Sequence, residues 1–97
     1  MVLESAMLSV KPGQNAAFEA AMVQARPLIA ASPGFQGIEV RPCIERPGGY
    51  LLLVCWARLE DHTEGFRKSD AYEKWRGLLH HFYDPFPTVE HFAESVV

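Results

Sequence analysis

Tyr50 to Ala57 reads YLLLVCWA, eight residues without a charge, entered from the turn-forming run Arg46, Pro47, Gly48, Gly49. A strand with one wet face alternates apolar and polar side chains, and this one does not. Both of its faces must therefore be covered. The chain has 97 residues, enough for one domain of roughly ordinary size, and helices in so small a unit can cover only one side of a sheet. The other side has to be buried by something outside the chain, and a homodimer formed sheet against sheet is the expectation.

Each flank of this strand supplies part of the same plan. Val2 to Val10 is a strand, with Leu3, Met7, Ser5 and Ser9 on one side and Val2, Ala6, Leu8 and Val10 on the other. Lys11, Pro12 and Gly13 end it. From Gln14 the period changes: Phe18, Ala21, Met22, Ala25 and Ile29 form the stripe of an amphipathic helix, with Pro27 expected to kink it or loosen its last turn. Ser32, Pro33 and Gly34 stop it. Phe35 to Ile44 is a second strand, demoted toward an edge or bulge by Pro42.

Beyond the central strand, Leu59 to Phe66 is a short helix whose first turn suggests an acidic capping box, Asp61 with Glu64 three residues on. Ser69 is a second N-cap, and Tyr72, Trp75, Leu79 and Phe82 carry another helix to about His81. Asp84 to Pro87 end it. Thr88 to Glu94 is a last strand, with Val89, His91 and Ala93 on one face and Glu90, Phe92 and Glu94 on the other. The order βαββαβ gives an α+β, ferredoxin-like architecture: a four-stranded antiparallel sheet with helices on one face, as a single domain over residues 1–97.

Composition narrows the partners. Nine Lys plus Arg against twelve Asp plus Glu leave a net charge of −3, the wrong sign for a nucleic-acid or anionic-membrane footprint. The N-terminus MVLESAMLSV lacks a basic leader and a long apolar run, so a cytoplasmic location is expected. The chain has no CxxC, HExxH or HxH motif, and no metal site is expected. Cys43 and Cys55 face opposite sides if Gly48 and Gly49 form a two-residue turn, and the same side if the loop is odd in length.

The stretches VLESAMLSVKPGQNAAFEAAM, YLLLVCWARLEDHTEGFRKSDAYEKW and HHFYDPFPTVEHF resemble the antibiotic biosynthesis monooxygenase domain family across essentially the whole chain. The most specific part is an apolar strand ending in Trp56, an LEDH helix start, then S-D-x-Y-x-x-W. The resemblance implies a dimeric α+β barrel with a ligand cavity between sheet and helices in each subunit. It also implies oxygenation of a small aromatic or quinol-type substrate without flavin, metal or haem. A haem-degrading branch of the fold relies on an Asn in the first strand, a Trp on the short helix and a His on the next. Here the first strand has no Asn, Phe66 stands at the Trp position and Arg76 lies near the His position, which disfavours that branch.

Oxygenation of this kind needs a base and a dry apolar pocket. His62, at the start of the short helix and titrating near neutrality, is the candidate base; the plain alternative is an exposed first-turn histidine without a role. Trp56, Phe66, Tyr72, Trp75 and His80 are the candidate substrate-binding residues, although aromatic stripes also serve as ordinary core. His80 and His81 lie about 100° apart on a helix, so only one can face a ligand. His91 is expected near the dimer seam as an interface residue. Arg41 and Arg67 could stabilise an oxyanion, but lone arginines are most often surface charges and both are left out of the site. Two other readings share the fold: a non-oxygenase small-molecule binding module, and an isomerase-like enzyme.

Overall fold

A computed structural model describes all 97 residues, Met1–Val97. Four strands, β1 (Val2–Ser9), β2 (Phe35–Pro42), β3 (Gly49–Trp56) and β4 (Val89–Phe92), form one antiparallel sheet in the order β2-β3-β1-β4. Two helices, α1 (Asn15–Ala30) and α2 (Asp70–Leu79), complete the βαββαβ order. The fold is the ferredoxin-like α+β class that the element order predicts. No helix is long and apolar enough to cross a membrane.

Period-two burial decides which side of the sheet holds the core. Tyr50, Leu52, Val54 and Trp56 of β3 are buried, together with Ala6 and Leu8 of β1. Phe18, Met22, Ala25 and Ile29 of α1 and Trp75 and Leu79 of α2 close over that side. Large aromatics dominate the interior, with Trp56, Phe18 and Phe66 the largest fully buried side chains. Removing one of these rings would cost about 3–5 kcal/mol. The other side carries Leu3, Met7, Leu51, Leu53, Cys55 and Phe92, which one chain leaves half-buried or exposed.

Several local expectations are adjusted. α1 continues through Pro27 to Ala30 and tightens only at its end, where the Ser32 N–H reaches the Ile29 carbonyl. Strand β2 stops at Pro42, and a register shift between Phe35 and Gly37 bends it at its other end. The β2–β3 connection is longer than a two-residue hairpin. Pro47 and Gly48 occupy a tight turn closed by the Gly49 N–H on the Arg46 carbonyl, and Gly48 takes the positive φ of 84° that such a turn requires at its third position. Cys43 consequently stands opposite Gly49, at the other end of the hairpin from Cys55 and roughly 20 Å away at strand rise. The two thiols are free, and within one chain that separation forbids a disulfide.

The segment after β3 differs most from its expected form. It is a π-helical turn at Asp61–Gly65 followed by a 3-10 turn at Phe66–Lys68, and the acidic capping box does not form. The Asp61 carboxylate instead accepts from the Arg58 backbone N–H at 3.0 Å, bending the chain back after β3. The wider π turn brings both His62 and Phe66 inward, where both are buried. α2 then starts as expected: the Ser69 hydroxyl accepts from the Tyr72 N–H at 3.1 Å. After Leu79 the chain tightens into a 3-10 turn, His80–Phe82, and returns to the sheet through a cis Asp84–Pro85 bond.

Candidate active site

Between the inner face of the sheet and the helices lies a cavity of about 200 Å³. Ala6 and Leu8 of β1, Leu52 of β3 and Ile29 of α1 form its floor and back, and Phe66, Trp75 and Val89 add further apolar wall. Exposed Arg67 and Phe86 mark its mouth. A cavity of about 150 Å³ holds a benzene ring, so this one accommodates an aromatic of one or two rings. Its polar lining consists of Glu4, His62, Arg67, Tyr72, His80 and Tyr83.

Three ionisable groups meet at one end. His62 Nδ1 lies 2.7 Å from His91 Nε2, and His62 Nε2 lies 3.5 Å from Glu4 Oε1. The same Glu4 oxygen accepts a 2.9 Å hydrogen bond from the Trp56 indole N–H, and the Trp56 and His62 rings stack at 5.5 Å and 12°. The sheet register explains the meeting: Glu4 pairs with His91 across β1 and β4, and Trp56 is its diagonal neighbour through Val54. Every deeply buried side-chain polar atom in the fold has a hydrogen-bond partner.

Burial moves the members of this cluster in opposite directions. Desolvation raises the Glu4 carboxyl above its ordinary value, opposed by the Trp56 hydrogen bond and the Arg67 charge. It lowers His62 to about 4, helped by the positive charge of Arg67 and by His91. His91 is lowered too, by burial and then Arg67. At neutral pH His62 is therefore the neutral imidazole. At the other end, burial lowers His80 and raises the Tyr83 hydroxyl, so both are uncharged.

Of the residues expected from sequence, His62, Phe66, Tyr72, Trp75 and His80 line the cavity. Trp56 does not. It is fully buried behind His62, where it supports that ring and the Glu4 carboxylate. His81 is exposed while His80 faces inward. His91, expected as an interface residue, lies within hydrogen-bond distance of His62, and Arg67, expected as a surface charge, is exposed at the cavity mouth. Glu4 is not marked by any motif, although it shares the parity of Ala6 and Leu8, the more apolar side of β1. No three His, Cys, Asp or Glu side chains converge as a metal site. The polar atoms of Glu4, His62 and His91 point at one another.

The model of the antibiotic biosynthesis monooxygenase family matches residues 1–78. The chain belongs to that family. Among curated proteins, this family member is 52% identical over 94 residues to YczJ of Bacillus subtilis (strain 168), itself uncharacterized, covering 97% of this chain and 99% of that protein. A "putative antibiotic biosynthesis monooxygenase" from Bordetella bronchiseptica superimposes with a TM-score of 0.92 at 35% identity, over 98% of this chain and 97% of that one. SnoaB, a cofactor-independent oxygenase from Streptomyces nogalater, shares the fold with a TM-score of 0.78 at 17% identity, over 99% and 94% of the respective chains.

Proposed function

We propose that the protein is a cofactor-independent monooxygenase that oxidises a small aromatic or quinol-type substrate in the cavity between sheet and helices. The observation that carries this reading is the Glu4–His62 pair: two buried ionisable groups, set 3.5 Å apart, at the end of an otherwise mainly apolar cavity of aromatic size. Family membership and the monooxygenase-like role it brings support the same reading.

The chemistry requires little beyond that pair. His62, neutral at pH 7 with Nδ1 engaged by His91, takes a proton at Nε2 from a phenolic hydroxyl or an activated C–H of the substrate. The Glu4 carboxylate 3.5 Å away stabilises the imidazolium formed. The resulting anion is electron-rich, and it transfers electrons to dioxygen as a new C–O bond forms. The peroxide anion so produced recovers the proton. Loss of water with the remaining hydrogen on that carbon leaves a carbonyl, so one oxygen atom ends in the product and the other in water. Phe66, Tyr72, Trp75 and His80 hold the ring and keep water away, while Trp56 fixes the orientation of His62 and Glu4.

In this reading two chains associate through the half-covered sheet faces bearing Leu3, Met7, Leu51, Leu53 and Phe92. Oxygen uptake by metal-stripped protein supplied with hydroquinone or 1-naphthol tests the activity. Uptake above the protein-free rate, lost with His62→Ala, is expected. No uptake by the wild type, or equal uptake by the variant, overturns the mechanism. Product that still forms without oxygen points instead to an isomerase.

A further inference from the structure

Arg67 is a cation without an ion-pair partner at the mouth of the cavity. Arg41, Arg58, Lys68 and Arg76 each sit against a carboxylate, on Glu39, Asp61, Glu64 and Glu73 respectively. Arg67 has no ion pair and no side-chain hydrogen bond, yet it lines the cavity next to Phe66. Its charge reaches Glu4, His62 and His91. Of the other polar groups lining the cavity, His80 and Tyr83 carry no charge at neutral pH, and Glu4 is buried against Trp56 and His62. Lys11, Arg26, Arg46 and Lys74 also lack an ion pair, but of the chain's nine Lys and Arg only Arg67 lines this cavity.

We propose that Arg67 makes the cavity selective for an aromatic carboxylate: the ring lies among Phe66, Tyr72 and Trp75, and the carboxylate pairs with the guanidinium at the mouth. A guanidinium presents two parallel N–H donors that match the two oxygens of a carboxylate, which makes arginine the fitting partner for that group. The pairing also couples binding to acid–base chemistry. Burial chiefly holds the His62 proton affinity down and the Arg67 charge adds to it, so an anion on Arg67 relieves that second contribution and strengthens the base beside it. This inference takes the cavity as the substrate site, as the oxygenase reading does, and says nothing about oxygen.

The test uses salicylate and its uncharged counterpart salicylamide, titrated anaerobically against the full chain by isothermal calorimetry. Salicylate should bind at least tenfold more tightly than salicylamide at low salt, and the preference should shrink as salt is added. Arg67→Gln should abolish the preference while leaving salicylamide affinity within about twofold; Arg67→Lys should keep part of it. Arg67 is exposed, so both variants are expected to fold, and an unchanged circular dichroism spectrum checks this. Equal binding of the two probes, binding of neither at millimolar concentration, or a preference that survives Arg67→Gln overturns the proposal. A retained preference in a protein that consumes no oxygen would leave this inference standing while the oxygenase reading fell.

Discussion

The indole N–H of Trp56 donates a 2.9 Å hydrogen bond to Glu4 Oε1, joining the end of the central strand to an acid on the strand beside it. The two residues are diagonal neighbours on the inner face of the sheet, and both are buried. The bond gives the indole a partner, holds the carboxylate beside His62, and makes the strand residues part of the site.

Glu4→Gln and Glu4→Leu should separate these roles. Gln keeps an acceptor for the indole and removes the ionisable group. Leu leaves a buried N–H without a partner, which costs about 1–3 kcal/mol. Because burial raises the Glu4 proton affinity in the folded state, the folded form holds its proton to a higher pH than the unfolded chain, whose value is near 4.5. Wild-type stability from this group is therefore present at low pH and lost as pH rises through the folded value. Urea unfolding should show Glu4→Gln more stable than wild type at pH 7 and no more stable at pH 4, with activity lost in both variants.

His62 works in the other direction. Its ordinary value is 6.5 and burial takes it to about 4, so the unfolded chain binds a proton in that window and the folded chain does not. Stability should fall as pH drops from 6.5 toward 4, by at most about 3 kcal/mol from this residue. His80 and His91, both lowered, add to the same slope. His62→Gln should flatten the dependence, measured as the change in denaturation midpoint between pH 7 and pH 5. An equally steep profile in that variant would assign the acid sensitivity elsewhere.

The fold was legible in the sequence because its signals were strong and local. The uncharged run at Tyr50–Ala57, the Phe18 to Ile29 stripe and the Ser69 cap each announce an element without help from the rest of the chain. Five cavity residues, including His62, followed from the same reading joined to the family resemblance. What was missed depends on pairing. Glu4 becomes notable only when the buried side of β1 is known, and parity alone would have marked it as the one acid among Ala6, Leu8 and Val10. His91 lies on a strand of four residues, too short for alternation to say which face is inside. The π-helical turn at Asp61–Gly65 has no simple sequence period, and it sets how far inward His62 reaches.

Gly34 is the hidden support of that turn. Its φ is +83°, and a Cβ there would fall 2.1 Å from Asp61 Oδ2, one residue before His62. Gly34→Ala should displace Asp61 as well as strain the backbone, costing about 1–3 kcal/mol. Calorimetry should record the lost stability, and ligand titration should record weakened binding in the cavity. Gly13 also has a positive φ, but a Cβ there would meet nothing within 4 Å, so Gly13→Ala should cost less and leave binding unchanged.

The outer sheet face gives a separate prediction. Leu53 pairs with Ser5 at the middle of the sheet, between Leu51 and Cys55 on the same strand. Leu53→Glu should put a charge at the centre of the proposed sheet-to-sheet contact. Sedimentation at micromolar concentration should give a dimer for the wild type and a monomer for the variant. A folded wild-type monomer would refute the sheet-to-sheet homodimer while leaving the chemistry of the cavity open.

Isotopic labelling tests the oxygenase chemistry most directly. Metal-stripped protein is given 1-naphthol under ¹⁸O₂, and the quinone product is analysed by mass spectrometry. A cofactor-independent monooxygenase working through Glu4 and His62 should place one labelled oxygen atom in the product and the other in water. The rate should fall about 100-fold or more with His62→Ala and with Glu4→Gln. Product labelling no greater than in protein-free buffer, or labelling that both variants support at the wild-type rate, would contradict that mechanism.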